Sequence, residues 1–339
     1  MSKGNLFKKC AAFTDLHLGN KNNSRQFNED CEEFVHWFVE QAKERGCETC
    51  IMLGDFHHNR SNISIPTLNY SATVIKYLSD NFETVYMIAG NHDLFYREKR
   101  ELHSLISGNY LHNVNIIDEP FVQGDVAIVP WLVGDEWKGI KDLKTKYMFG
   151  HFEIPGFKMN AQIEMPDHGE INKTQFKHQD YVFSGHFHKR QAQGNIHYIG
   201  NPFGHNFADA WDTDRGAMFL EWGGAPEYVN WDNGPKYITC YLSELLDNTD
   251  EYLKPKTFAR ITLDADVSYE DANFMKETFT ETYKLRELKF VYEKLSDDQM
   301  EFEGEIGFQT IDQIVAEQLA SLDTDTFEKA KLMEIYNNL

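Results

Sequence analysis

Five short apolar runs in this chain each end on polar residues of the kind that bind metal ions. Residues 8–14 lead into Asp15 and His17 of FTDLHLG, and residues 49–53 into Gly54-Asp55. Residues 84–89 lead into Gly90-Asn91-His92-Asp93, residues 147–149 into Gly150-His151, and residues 181–184 into Gly185-His186-Phe187-His188. Runs of this length and composition, bounded by glycine, read as β-strands. A polar side chain at the end of each strand predicts that all of them meet at the carboxyl edge of a sheet, where open α/β sheets bind ligands. Further strands are expected at residues 126–130, 197–199 and 217–222. Between the runs lie helical patterns. Residues 29–45 place Phe34, Trp37, Phe38 and Ala42 on one face, and residues 66–80 do the same with Tyr70, Val74, Tyr77 and Leu78. The alternation predicts an α/β chain of layered sheet flanked by helices.

The polar residues supply the chemistry. In Asp-x-His and His-x-His, side chains i and i+2 share a face of an extended chain, so Asp15 pairs with His17 and His186 with His188. Gly19 follows where the chain must turn. A carboxylate such as Asp55 has two oxygens and can bridge two cations, and Asn91 adds a neutral oxygen. His92, one residue on, points elsewhere and is free for proton transfer near neutral pH. A mixed set of Asp15, His17, Asp55, Asn91, His151, His186 and His188 suits two adjacent divalent cations, and such a pair suits in-line displacement at phosphorus. Read from its residues, the chain is a phosphoesterase.

Composition narrows the partners. The formal net charge is −21 over 339 residues, which argues against a general polyanion binder because phosphate contacts rely on Lys and Arg. Basic residues nevertheless gather beside the predicted edge: Lys21, Arg25, Arg60, Arg97, Lys99, Arg100, Lys189 and Arg190. From Ser296 onward there are eleven acidic residues against two lysines. The five cysteines are scattered, and Cys47-x-x-Cys50 has no second pair to complete a zinc site. Reduced thiols, no apolar signal region and no membrane-length run point to the cytoplasm. Turn signals at Gly223-Gly224-Ala225-Pro226 and Asn233-Gly234-Pro235 divide the chain into residues 1–230, a small α/β domain at 236–296, and an acidic pair of helices at 305–339. In the small domain, residues 258–263 and 287–293 read as strands and 269–282 as a helix.

The series D-x-H, GD, GNHD, GH and GHxH resembles the calcineurin-like metallophosphoesterase superfamily, over roughly residues 8–222. Protein Ser/Thr phosphatases of that superfamily carry GDxxDRG and GNHE. Here the stretches are Gly54-Asp55-Phe56-His57-His58-Asn59-Arg60 and Gly90-Asn91-His92-Asp93, and His58 is similar to the SbcD-type nucleases, which include the meiotic-recombination-eleven group and short phage-encoded members. The resemblance implies a β-sandwich flanked by helices, with one ion on Asp15, His17, Asp55 and His188 and the other on Asp55, Asn91, His151 and His186. It implies manganese as the usual activating ion, with magnesium an alternative, and a metal-bound water as nucleophile. His92 would protonate the leaving oxygen, and His58 would assist or position the scissile phosphate. It further implies exonuclease and single-strand endonuclease activity on DNA within a recombination and repair complex. The 236–296 domain would cap the DNA, and the terminal helices would either dock an SbcC-type coiled-coil ATPase or pack on their own domain. A homodimer could form through residues 66–80 and the stretch after Phe95, with internal core the alternative for Tyr70, Tyr77 and Leu78. The alternatives are another phosphatase or a cyclic-nucleotide phosphodiesterase of the superfamily, or a scaffold of the same fold without the chemistry.

Overall fold

Sequence periodicity places two long helices and eight strands in the first two-thirds of the chain, and the computed structural model, which describes residues 5–159 and 163–292, contains all of them. Each expected strand lies within one or two residues of its predicted bounds. The Arg25–Arg45 helix begins earlier than its apolar face, because the Ser24 side chain accepts a hydrogen bond from the Phe27 amide and caps it. It stops at Gly46, whose φ of 67° is the left-handed conformation that ends helices at low cost. The Ile65–Asn81 helix starts with Pro66 in its first turn, where the missing amide hydrogen is not needed.

The strands form two sheets of six. The first has the spatial order Glu227–Asn230, Gly216–Glu221, Lys9–Phe13, Thr49–Met52, Thr84–Ile88 and Val114–Ile117. The last four of these run parallel, so their carboxyl ends share one edge. The second has the order Gln191–Gln193, Ile196–Tyr198, Tyr181–Gly185, Tyr147–His151, Val126–Val129 and Phe121–Gln123, with its four central strands parallel. The seven expected ligands thus leave strands of two sheets, not one. Asp15, His17, Asp55 and Asn91 follow strands of the first, and His151, His186 and His188 come from or follow strands of the second. Periodicity identifies strands but cannot say which sheet each joins, because that depends on pairing between distant segments.

Alternation along the strands sorts the core into layers. Cys10, Ala12, Ile51, Leu53 and Ile88 of the first sheet pack with Val126, Ile128, Phe149 and Phe183 of the second. On the opposite face of the first sheet, Ala11, Phe13, Met52 and Met87 pack under Phe34, Phe38, Val74 and Leu78 of the two helices. Trp37, Tyr70 and Tyr77, placed by periodicity on those inner faces, are only partly buried at their margins. The outer face of the second sheet is closed by irregular and 3-10 segments, which contribute Ile140, Phe152, Phe157 and Phe176. The molecule is therefore a mixed α/β β-sandwich with flanking helices.

The chain divides into two compact units, one of Met1–Ile238 with Pro255–Phe258, the other of Thr239–Lys254 with the chain from Ala259 on. Strands Lys236–Tyr241, Thr257–Leu263 and Glu287–Tyr292 make a three-stranded sheet with Thr257–Leu263 in the middle, and the Tyr269–Tyr283 helix is capped by Ser268. The helices expected at residues 305–339 lie outside the described residues. All five cysteines are buried free thiols. Among the described residues no helix is long and apolar enough to cross a membrane.

Candidate metal centre

The candidate residues are held by loops that leave the strands in strained backbone. Asp15, His17, Asp55 and His186 have φ of 52°, 53°, 54° and 90°, a region L-residues seldom occupy and one that concentrates at functional sites. Neither Asp-x-His nor His-x-His is therefore extended chain, contrary to the expectation that i and i+2 share a strand face. The first strand ends at Phe13, and Asp15 and His17 reach the same place by consecutive turns away from extended geometry. The loops are pinned to one another instead. The Asp15 amide donates to the Gly54 carbonyl at 3.0 Å and the His17 amide to the Asp55 carbonyl at 3.0 Å, which carries the pairing of the two strands past their ends.

Two glycines are required by close approach. A Cβ on Gly90 would stand 2.3 Å from both the amide nitrogen and Oδ1 of Asp55, and one on Gly54 would stand 2.4 Å from the His151 ring, at a φ of 103° besides. Below these loops, Asp93 accepts hydrogen bonds from the amides of Phe56, His57 and Gly90. His57, in contact through its amide, also bonds Ser104 and Ser71 with its two ring nitrogens at 2.8 and 2.9 Å. This buried network fixes the Asp55 and Asn91 loops relative to the Ile65–Asn81 helix.

All nine candidate residues come together, in two groups that share Asp55. Asp55 Oδ2 lies 3.6 Å from His17 Nε2, while its Oδ1 lies 3.5 Å from His151 Nε2. Around the first oxygen, His17 Nε2 stands 3.3 Å from His188 Nε2, and Asp15 Oδ1 stands 3.8 Å from each imidazole. Around the second, Asn91 Oδ1 is 3.0 Å from both His151 Nε2 and His186 Nδ1. His92 and His58 border the first group. The His92 amide donates to Asp55 Oδ1 at 2.8 Å, and His92 Nδ1 donates to the His58 carbonyl oxygen at 2.7 Å. A carbonyl only accepts, so the proton of His92 sits on Nδ1 and its Nε2 is the nitrogen available for exchange.

The donor set fits divalent ions. His151 Nδ1 donates to the Leu53 carbonyl at 2.7 Å, which turns the lone pair of Nε2 toward Asn91 Oδ1. His186 Nε2 lies 3.4 Å from Glu153 Oε1, and with its proton there the lone pair of Nδ1 also faces that oxygen. Three lone-pair-bearing atoms aimed at one another in a buried site repel unless a positive charge lies among them. The ionisation equilibria express the same need. Burial opposes charge on His151, but Asp55 and Asp15 pull its pKa up to about 9, so without a cation a proton on Nε2 supplies that positive charge and donates toward Asn91 Oδ1. Burial pushes the Asp15 carboxyl up to about 7. For Asp55 the burial penalty is outweighed by His151, His17 and His92, which hold its carboxyl well below the usual range. Burial drives His17 and His188 down, the latter to about 4, toward the neutral imidazoles that ligate metals. Bound divalent cations would satisfy these carboxylates and lone pairs together.

Part of the expected basic rim is engaged elsewhere. Arg100 bonds Glu136 and two backbone carbonyls, Lys189 pairs with Asp212, and Arg190 bonds the Ile199 carbonyl and Asn230. Arg60 differs, because its Nη1 is buried without a hydrogen-bond partner among the described residues. Two residues beside the candidate ligands were not anticipated. Glu153 orients His186, and it follows His151 in the same GHFE motif, which is the signal that could have found it. His205 is 2% exposed and packs its ring against His17 and His188 at 5.3 and 5.0 Å between centroids.

Comparison with known proteins gives the site its relatives. Residues 8–190 match the family profile described as calcineurin-like phosphoesterase. The chain is 30% identical over 200 residues to "Exonuclease subunit 1" of Enterobacteria phage T4, a match that covers 56% of this chain and 58% of the phage protein. The chain thus spans rather more than half the length of that relative. Among solved structures, Pseudomonas putida nuclease MPE matches at 22% identity with a TM-score of 0.29, over 56% of this chain and 66% of that one. A dimetal phosphatase from Danio rerio matches at 11% identity with a TM-score of 0.38, over 63% of this chain and 92% of that one.

Proposed function

Because the chain belongs to the calcineurin-like phosphoesterase family and is similar to a phage protein named an exonuclease subunit, we propose that it is a two-metal DNA nuclease. The observation that carries this reading is the division of labour at Asp55, one oxygen facing the His17 group and the other facing the His151 group. We assign one ion to Asp15, His17, Asp55 and His188 and the other to Asp55, Asn91, His151 and His186. Manganese suits this mixture of carboxylate, amide and imidazole donors. Ions held by these residues would supply Lewis acidity at the reacting phosphate and its attacking water.

The chain's own residues do the rest. His92, oriented by the His58 carbonyl, holds its exchangeable proton at Nε2 and delivers it to the oxygen that leaves phosphorus. His58 acts through that carbonyl and through its ring, which stacks 5.4 Å from His92. Arg60, two residues after His58 and with Nη1 unpartnered among the described residues, is proposed to grip a neighbouring phosphate. DNA is proposed as substrate, by exonuclease and single-strand endonuclease action, because His58 distinguishes the chain from the GDxxDRG phosphatases and the phage relative is named an exonuclease subunit. That name also supports work within a complex. The partner proposed is an SbcC-type coiled-coil ATPase, docked by residues 305–339, with residues 236–296 as the DNA cap.

The test is turnover by purified full-length protein with Mn²⁺ on labelled single- and double-stranded DNA, beside a small phosphomonoester and a cyclic nucleotide. Cleavage of DNA that EDTA abolishes is the expected outcome. Hydrolysis of the small esters with DNA left intact would keep the centre and overturn the substrate.

A further inference from the structure

We propose that His205 is a third imidazole ligand to the ion shared by His17 and His188, an inference that rests on the two-metal reading above. One potential ligand atom from each of His17, His188 and His205 lies within 4.8 Å of the others. Imidazoles that bind one ion at about 2.1 Å stand no more than roughly 4.2 Å apart, so a small side-chain adjustment closes the set. His205 is 2% exposed, and its Nε2 has no hydrogen-bond partner among the described residues. A buried, unpaired ring nitrogen is costly unless something supplies a partner, and the groups beside it are ligands.

The surroundings fix the loop that carries His205. The Asp209 carboxylate accepts from the His205 amide at 2.8 Å, and the Tyr237 hydroxyl donates to the His205 carbonyl at 3.0 Å. Arg215 ties the two histidine loops together, because it donates to Asp209 at 2.9 Å and to the His188 carbonyl at 2.7 Å. Phe27 and Phe203 pack the ring from the other side, each 5.4 Å away between centroids. Structural His residues in such positions normally spend both nitrogens on protein partners, as His57 does on Ser71 and Ser104. With His205 the first site has three imidazoles against two in the second. A nitrogen-rich site favours transition ions over Mg²⁺, so His205 would make the first site the more discriminating of the two.

The experiment is Mn²⁺ and Mg²⁺ binding to chelator-stripped full-length protein, followed by electron paramagnetic resonance and calorimetry, for the wild type, His205→Ala and the volume-keeping His205→Phe. The wild type should bind two Mn²⁺. In both variants one Mn²⁺ should bind on the order of tenfold to a hundredfold more weakly, with the other unchanged and Mg²⁺ affinity least affected. Wild-type affinities at both sites in both variants would overturn the role of His205 alone, whereas a wild type that binds no Mn²⁺ would overturn the two-metal reading with it. Pulsed resonance on Mn²⁺-loaded wild type enriched in ¹⁵N-histidine needs no variant to fold. Three imidazoles on one ion support the inference, and two at most refute it.

Discussion

Asp55 is the residue on which the centre turns, because each of its oxygens belongs to a different group of donors and its carboxylate also receives the His92 amide. Asp55→Ala should lower bound Mn²⁺ from two ions to at most one and abolish hydrolysis, with metal stoichiometry and turnover read on the same sample. His92→Ala separates binding from chemistry. Metal content should stay near wild type while the rate falls by about 10²–10⁴, the effect of losing a general acid; lost metal would mean that His92 is a ligand. At this scale the strand-then-ligand pattern made the seven candidate ligands legible, since each sits within four residues of the end of an apolar run, whereas His58 was marked only by the family resemblance. Glu153 and His205 were not legible as participants. Their roles depend on contacts with His186, His17 and His188 across the fold, and no local pattern marks a histidine in a loop such as GNPFGHNF as buried.

Loops that leave the strands set the geometry, and their strain is held by the network beneath them. Gly90→Ala would drive a Cβ to 2.3 Å from Asp55, so the variant should lose tight Mn²⁺ binding and melt well below wild type in a calorimetric scan. The His57 network predicts a pH effect of definite sign. Burial pushes the His57 imidazole from 6.5 down to about 3. Below pH 6.5 the unfolded chain therefore binds a proton that the folded chain refuses, and stability falls as pH drops toward 3 while it is fully present above 6.5. Thermal melts in EDTA should show this loss, and His57→Gln should make the slope between pH 6.5 and 4 shallower by up to one proton. An unchanged slope would place the titration elsewhere. Helices and central strands were legible because their apolar periodicity spans many residues. The left-handed φ values of Asp15, His17, Asp55 and His186 were not, because only pairing between distant loops imposes them. The division into two sheets was hidden for the same reason.

For the whole molecule, charge is the governing term. With a net charge of −21 and Arg100, Lys189 and Arg190 of the rim paired internally, the isolated chain should bind duplex DNA weakly at about 150 mM salt, and a partner would supply much of the basic surface. Nanomolar duplex affinity of the chain alone under that condition would contradict this. The two-ion centre remains the claim from which the others follow. Its most direct measurement is anomalous scattering from crystals of the full chain soaked in Mn²⁺. Two peaks, one beside each oxygen of Asp55 and flanked respectively by His17 with His188 and by His151 with His186, are predicted. A single peak, or peaks that leave Asp55 without a contact, would contradict the account.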